Sequence, residues 1–255
     1  MHGQNPVFIP GPTNIPERLR HAMNVPTADH RSPEFGAMLK PLLADLKRVF
    51  KTTRGEVVTF PASGTAGWEA AICNTLSPGD TVLAARYGMF SQRWIELCRR
   101  HGLTVELIET PWGEALPVDR MAEALAADGD GRIKAVLATH NETATGVRSD
   151  IAALRAAMDA AGHKALLMVD GVSSIASMDF RMDEWGIDIA LTGSQKGFML
   201  AAGMAIVALS PKAIAAAEHA ALPRAYLDFR AMLNSTPNGG YPYTPPLQLM
   251  SGLRE

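Results

Sequence analysis

The sequence predicts an α/β domain with a mostly parallel β-sheet and helices on both faces. Two observations support this fold class. Short apolar runs that are typical of buried strands alternate with stretches of helical spacing over most of the chain. Several predicted strands end in turns of small or polar residues, which is where open parallel sheets place their sites. At 255 residues the chain is long enough for one such domain with a large core.

The N-terminal segment is predicted to lie outside this alternation. Residues 8–16 are too rich in proline and glycine for a regular element, so we expect an extended arm. We assign residues 1–30 to this N-terminal arm and residues 31–255 to the α/β domain.

Each later element is predicted from its own pattern. Ser32 and Pro33 suit the N-cap and the first residue of a helix whose apolar face extends to Phe50. Short apolar runs predict strands at 57–60, 81–85, 103–108, 133–139, 165–170, 188–191 and 204–209. Helical spacing predicts further helices at 66–76, 87–101, 119–127, 150–161 and from 247 onward. Residues 222–238 have weak periodicity, so we expect them to be irregular or to form short elements.

Composition excludes several classes of function. The formal net charge of -2 does not indicate a nucleic-acid partner or an anionic membrane surface. No apolar run approaches the roughly 18 residues needed to cross a bilayer. Only two cysteines are present, without a metal-binding spacing, which favours a cytoplasmic protein with structural thiols. Since the seven histidines are scattered, we predict no metal site.

Two predicted strand ends carry the most informative residues. Residues 188–197 form a short apolar strand and a polar turn that presents Lys196. At the edge of an apolar core, desolvation lowers the pKa of a lysine and exposes a neutral amine that can attack a carbonyl group. A second strand ends in Asp170. A pyridoxal phosphate site needs a lysine for the aldehyde carbon of the cofactor and a buried carboxylate for its pyridine nitrogen, so this pair predicts such a site.

Other strand ends suit the remaining parts of the cofactor. Ser63, Gly64 and Thr65 stand between a strand and a helix N-terminus, where free amides and the helix dipole favour a phosphate group. Phe90, at the start of another helix, is a candidate to stack on a planar ring. The polar loop 140–147 also follows a strand.

Together these segments resemble the class V aminotransferases. They are the Pro-Gly-Pro-Thr-Asn arm at 10–14, Ser63-Gly64-Thr65, the loop 140–147, the run Asp170-Gly171-Val172-Ser173-Ser174, the run Ser194-Gln195-Lys196-Gly197 and residues 241–246. The resemblance is greatest to serine-glyoxylate and aspartate-glyoxylate aminotransferases, which are relatives of alanine-glyoxylate aminotransferase. It implies the fold type I architecture of pyridoxal phosphate enzymes and a homodimer. It also implies transfer of an amino group from serine, aspartate or alanine to glyoxylate, which gives glycine.

The same resemblance implies a role for individual residues. Lys196 and Asp170 would be catalytic: Lys196 would bind the cofactor and shuttle a proton, and Asp170 would keep the pyridine nitrogen protonated. Phe90 and Val172 would lie on opposite faces of the ring, and Thr143 would approach its hydroxyl group. The predicted phosphate ligands are Ser63, Gly64, Thr65 and Gln195, together with Tyr241 and Thr244, which would reach the site of the partner subunit. His30 and Arg31 would approach the substrate pocket of the partner.

The end of the chain leads to a further expectation. The chain stops at Glu255, about two turns into its last predicted helix and without a helix stop signal. We therefore expect that the small C-terminal domain of the family is absent. The resemblance implies that this domain holds the arginine that binds the substrate carboxylate, so we expect impaired activity for this chain.

Two alternatives remain open at this point. The first is a catalytically inactive fragment of the cofactor-binding domain. The second is a hydrolase in which Ser194 and Lys196 form a nucleophile and base pair. The hydrolase reading leaves Asp170 without a role.

Overall fold

A seven-stranded sheet forms the centre of the fold in the computed structural model, which describes residues 6–255. The strands are β1 (Glu56–Phe60), β2 (Thr81–Arg86), β3 (Thr104–Glu109), β4 (Ile133–Thr139), β5 (Asn141–Glu142), β6 (Val147–Arg148), β7 (Leu166–Asp170), β8 (Ile189–Gly193) and β9 (Ala205–Leu209). The sheet has the order β1-β9-β8-β7-β4-β2-β3, and β5 pairs with β6 in a separate hairpin. The predicted fold class is confirmed.

The helices connect these strands and cover the sheet. They are α1 (Glu17–Met23), α2 (Pro33–Phe50), α3 (Gly64–Thr75), α4 (Met89–Arg100), α5 (Val118–Ala127), α6 (Ile151–Ala160), α7 (Pro211–Ala217), α8 (Phe229–Ser235) and α9 (Leu247–Arg254), with a 3-10 turn at Thr236–Asn238. Within residues 6–255, none of the helices combines the length and the apolar character that crossing a bilayer requires.

Strand direction and register bring the strand ends to one edge of the sheet. Strands β3, β2, β4, β7 and β8 are parallel, whereas β9 is antiparallel to both β8 and β1. Asp170 is level with Thr139 on one side and Leu191 on the other. Phe60 and Gly193 both lie opposite Ala205. The segments that follow β1, β4, β7 and β8 therefore start at the same edge.

The core lies between this sheet and the helices. Every residue of β7, β8 and β9 is buried, as expected for strands covered on both faces. Helix α2 begins as predicted, with the Ser32 side chain accepting a hydrogen bond from the Phe35 N–H group, and it continues through Pro41.

The predicted arm differs in part from the structure. Residues 1–5 lie outside the described residues. Residues 17–23 form α1 instead of continuing the arm, and α1 packs against α9. Arg18 in α1 bonds to the Glu255 carboxylate, which ties this part of the arm to the end of the chain. The arm is therefore partly helical.

Candidate active site

Most of the predicted site residues, though not His30, Arg31 and Tyr241, are brought together at the edge where the parallel strands end. Val172, just after β7, packs against the start of α3, because a β-carbon added at Gly64 would lie 2.6 Å from its Cγ2 atom. A β-carbon at Gly193 would lie 2.7 Å from Oε1 of Gln195 and 3.2 Å from the Gly64 nitrogen. The segments after β1, β7 and β8 thus meet at Gly64 and Gly193, where there is no room for a larger side chain.

Asp170 is a buried carboxyl group at the centre of this edge. Its side chain accepts a hydrogen bond from the Val172 N–H group at 2.8 Å. Burial raises the pKa of Asp170 to about 7, against the Val172 hydrogen bond, the nearby Trp68 indole and the charge of Lys196, which all lower it. The indole N–H of Trp68 makes no hydrogen bond of normal geometry within the described residues. A positively charged partner would therefore stabilise the ionised form of Asp170.

Lys196 lies in the turn after β8 and beneath the N-terminal arm. Burial lowers the pKa of Lys196, and the charge of Asp170 opposes that shift, so the two side chains are close enough to interact. The Lys196 ammonium donates a hydrogen bond to the carbonyl oxygen of Pro10 at 3.3 Å. A β-carbon added at Gly11 would lie 2.4 Å from Cδ of Lys196. The arm is thus in direct contact with the lysine.

The start of α3 has the features of an anion site. Ser63 is its N-cap residue, but the Ser63 side chain makes no capping hydrogen bond, and both Ser63 and Thr65 are exposed. The side-chain oxygen of Gln195 is buried without a hydrogen-bond partner in the described residues. The Ser63 hydroxyl therefore has a donor that no capping bond uses, and the helix N-terminus favours an anion there. The Gln195 oxygen is an acceptor, so Gln195 would contact an anion only through the NH₂ end of its amide.

Phe90 is held at the start of α4 by a buried glutamate. The carboxylate of Glu142 accepts hydrogen bonds from the Phe90 N–H group at 3.2 Å and the Ser91 N–H group at 3.0 Å. The Phe90 ring lies 6.4 Å from the Trp68 ring in an edge-on arrangement. Trp68 thus borders both Phe90 and Asp170.

Thr143 is held by the segment that follows Asp170. Its hydroxyl group donates a hydrogen bond to Oγ of Ser173 at 2.9 Å. The Asn141 side chain donates to the same oxygen at 2.8 Å. The polar loop predicted at 140–147, which contains the hairpin β5–β6, therefore joins the site.

His30, Arg31 and Tyr241 are placed apart from these groups. They line one open cleft of about 640 Å³ whose lining, in the described part of the chain, does not include Lys196 or Asp170. The Tyr241 hydroxyl is buried and donates to the carbonyl oxygen of Thr59 in its own chain, whereas Thr244 is exposed. Their roles toward a partner subunit stay predictions.

The hydrolase alternative is not supported by the geometry of Ser194. This residue is fully buried. Its hydroxyl donates to the carbonyl oxygen of Ala201 at 2.7 Å and accepts a hydrogen bond from the Met204 N–H group at 3.2 Å. The hydroxyl is therefore committed to the backbone and is not paired with Lys196.

Three neighbours of the site were given no individual role from the sequence, although Pro10 lies in the arm at 10–14 and Glu142 in the loop 140–147. Pro10 accepts a hydrogen bond from Lys196, and the Trp68 indole lowers the pKa of Asp170. Glu142 accepts a hydrogen bond from the Phe90 N–H group. In each pair the two residues are far apart in the sequence. A charged glutamate inside a loop between strands is a signal that could have pointed to Glu142. Trp68 and Pro10 have no comparable signal, because an indole in a helix and a proline in an arm are ordinary packing residues.

The residues present fit pyridoxal phosphate. A partly buried amine, a buried carboxyl group and a helix N-terminus whose Ser63 side chain makes no capping hydrogen bond match the aldehyde, the pyridine nitrogen and the phosphate in turn. Phe90 and Val172 add apolar surface beside them.

Comparisons with known proteins agree with this fit. A sequence profile described as "Aminotransferase class-V" matches residues 17–237. The chain is 65% identical over 253 residues to an L-aspartate–glyoxylate aminotransferase of Paracoccus denitrificans, covering 99% of this chain and 64% of that protein. It is 52% identical over 258 residues to a serine–glyoxylate aminotransferase of Methylorubrum extorquens, again covering 99% of this chain and 64% of the relative.

Solved structures support the same relationship. An alanine–glyoxylate aminotransferase from Nostoc sp. superposes with a TM-score of 0.89 at 29% identity, covering 100% of this chain and 68% of that one. The chain thus spans about 64% of the length of the two curated relatives.

Proposed function

The chain belongs to the class-V aminotransferase family, and from this premise we propose that it is the cofactor-binding part of an aminotransferase that transfers an amino group from a small amino acid to glyoxylate. The observation that supports this proposal most directly is the pair formed by Lys196 and Asp170, an amine with a lowered pKa and a buried carboxyl group whose charges interact.

Each residue has a defined task in this reaction. Bound pyridoxal phosphate supplies an electron-accepting ring that stabilises negative charge at the α-carbon of an amino acid. Burial favours the neutral amine of Lys196. This amine can take the proton from the α-carbon of the amino acid and then donate it to a carbon atom of the cofactor. Asp170 holds a proton on the pyridine nitrogen by pairing with the positive charge that results. Ser63, Gly64, Thr65 and Gln195 would hold the group by its phosphate, and Thr143 would bind its ring hydroxyl.

The acceptor and donor are proposed from the names of the relatives. The two relatives above are named for glyoxylate, and one is named for aspartate and the other for serine. Identity is higher to the aspartate-named protein, so aspartate is the first donor to test, followed by serine and alanine.

The proposal includes a homodimer in the cytoplasm. His30, Arg31, Tyr241 and Thr244 would serve the site of the partner subunit. The first three line a cleft whose described lining does not include Lys196 of their own chain, which is consistent with this role. The free, buried cysteines Cys73 and Cys98 are compatible with a reducing compartment. Slow turnover by the 255 residues alone is proposed, because they span 64% of the length of the two relatives above.

A spectroscopic experiment tests the cofactor assignment. Addition of pyridoxal phosphate to the purified chain should produce a visible absorption band that borohydride bleaches. The band should be absent in Lys196→Ala and retained in Lys164→Ala, which removes an exposed lysine as a matched control. A colourless wild-type protein would contradict the assignment.

Product analysis tests the reaction. Glycine formed from glyoxylate should be measured with aspartate, serine and alanine in turn. A protein that shows the band but forms no glycine with any donor would support the inactive binding fragment instead.

A further inference from the structure

Three metal-binding side chains meet on the side of α3 that packs against α4. They are Glu69, Cys73 and His101, which we call the Cys73 cluster. One ligand atom from each lies within 4.8 Å of the other two. Sγ of Cys73 is 3.5 Å from Nδ1 of His101, and Nε2 of His101 is 3.6 Å from Oε1 of Glu69. The separation of these residues along the sequence conceals this arrangement, which is why the sequence predicts no metal site.

The fold holds the three residues in place. Glu69 and Cys73 are four residues apart in α3 and therefore lie on the same face of the helix. His101 is the C-cap residue of α4, where its N–H group bonds to the carbonyl oxygens of Leu97 and Cys98. Because α3 and α4 pack together, the cluster does not depend on a mobile loop.

The surroundings leave room for one further ligand. Cys73 is buried, whereas the side chains of His101 and Glu69 are 23% and 45% exposed. Both border a cavity of about 420 Å³ that is also lined by Glu96 and by two cationic residues, Arg93 and Arg100. The sulfur ligand is buried, and the other two ligands face a cavity. Zinc sites with three protein ligands and one water have this arrangement.

The charges also suit a divalent cation. Cys73 as a thiolate and Glu69 as a carboxylate would carry two negative charges, which a divalent ion neutralises. Burial and the nearby Glu69 carboxylate raise the pKa of the Cys73 thiol to about 11, and Arg224, which donates a hydrogen bond to the Cys73 carbonyl oxygen at 3.3 Å, opposes that shift in part. Without a metal the thiol keeps its proton, and metal binding must release that proton.

We propose that the Cys73 cluster binds one Zn²⁺ ion through Sγ of Cys73, an imidazole nitrogen of His101 and a carboxylate oxygen of Glu69. Bonds of about 2.3 Å to sulfur and about 2.0 Å to nitrogen place two tetrahedral ligands about 3.5 Å apart. The observed distance from Sγ of Cys73 to Nδ1 of His101 is 3.5 Å. Glu69 contacts the other ring nitrogen, Nε2, at 3.6 Å, so its carboxylate has to turn toward Nδ1 to complete the site. Thiolate and imidazole ligands favour zinc over magnesium or calcium, which prefer oxygen. The inference does not depend on the proposed function.

Zinc titration of the full chain tests this site. The protein, as purified, is freed of metal with a chelator and of excess small molecules by gel filtration, then titrated with zinc chloride against a colorimetric zinc indicator. We expect one Zn²⁺ per chain. Zinc affinity should fall at least about tenfold in Cys73→Ser and in His101→Ala. Loss of a residue that only supports a metal ligand already lowers metal affinity by about 10–100-fold.

The matched control is Cys98→Ser, which removes the other buried thiol, from the neighbouring helix and outside the cluster. It should bind zinc as the wild type does. Circular dichroism checks the fold of each variant, and if Cys73→Ser does not fold, the part-exposed His101 decides. No saturable zinc binding by the wild type, unchanged binding in His101→Ala, or an equal loss in Cys98→Ser would overturn the proposal and leave the cluster as a hydrogen-bonded packing contact.

Discussion

At the scale of single residues, the protonation of the Asp170 carboxyl group affects the free energy of unfolding. Its pKa is raised from the usual 3.8 to about 7, chiefly by burial. The folded chain therefore holds a proton that the unfolded chain releases between these pH values. The free energy of unfolding must fall as the pH rises through this window, because the unfolded state then binds fewer protons.

The first prediction isolates this effect. In cofactor-free protein, Asp170→Asn should be more stable than the wild type at pH 7.5, and the difference should shrink toward zero near pH 4. A shift of this size corresponds to a difference of about 4 kcal/mol, as an upper limit. Urea unfolding at several pH values measures it.

The variant comparison is needed because His140 acts in the opposite direction. Burial lowers the pKa of His140 to about 4, so its contribution to stability increases as the pH rises toward 6.5. Wild type and variant share that contribution, and it cancels in the difference. A difference that is independent of pH would show that Asp170 titrates normally.

At the scale of elements, Glu142 joins the hairpin β5–β6 to helix α4. Its side chain accepts hydrogen bonds from the N–H groups of Phe90, Ser91 and Ala144. The residue is fully buried. One carboxylate thus satisfies the first turn of α4, fixes Phe90 and closes the polar loop.

The second prediction follows from this arrangement. Glu142→Ala should lower the free energy of unfolding by about 2–4 kcal/mol, because buried N–H groups lose their acceptor. Near-ultraviolet circular dichroism should change as well, since Phe90 contacts Trp68, which stacks on Trp94. Glu123→Ala, an exposed glutamate in α5, is the control and should leave both measurements unchanged. Equal effects of the two substitutions would contradict the role of Glu142.

The success of sequence-based prediction also differs between elements. Buried strands such as β4 and β9 were predicted to within about a residue, because long apolar runs leave little choice. The reversed direction of β9 was not predicted, since apolar spacing is the same in parallel and antiparallel strands. Helix α7 was missed although Ser210 and Pro211 form a normal helix start. The two-residue strands β5 and β6 have too few residues to show a period.

The same limit applies to the site. Lys196 and Asp170 could be predicted because Asp170 ends β7 and Lys196 lies in the turn that follows β8, and the ends of parallel strands share an edge. Contacts that depend on packing could not, such as those of Glu142 with α4 or of His101 with Cys73. They join segments whose relative position follows only from the assembled fold.

At the scale of the whole molecule, the arm exposes an apolar surface. Val7, Phe8 and Ile9 are 45%, 91% and 53% exposed and lead into the segment that touches Lys196. An apolar arm of this kind is typical of a surface that another chain covers.

The third prediction concerns association. Sedimentation velocity should show a dimer at micromolar concentration. Phe8→Ser should raise the dissociation constant by about tenfold or more, as loss of a large aromatic contact does at interfaces. Trp112→Ser removes another exposed aromatic residue, 51% exposed in the segment after β3, and should leave association unchanged. A monomeric wild type at these concentrations would contradict the proposed dimer.

The bond between Lys196 and Pro10 limits access to the amine of Lys196. This amine donates a hydrogen bond to the carbonyl oxygen of Pro10, and a β-carbon added at Gly11 would lie 2.4 Å from Cδ of Lys196. A carbonyl compound that reaches this amine has to displace the Pro10 contact, so the arm is expected to slow the reaction of Lys196 with such compounds.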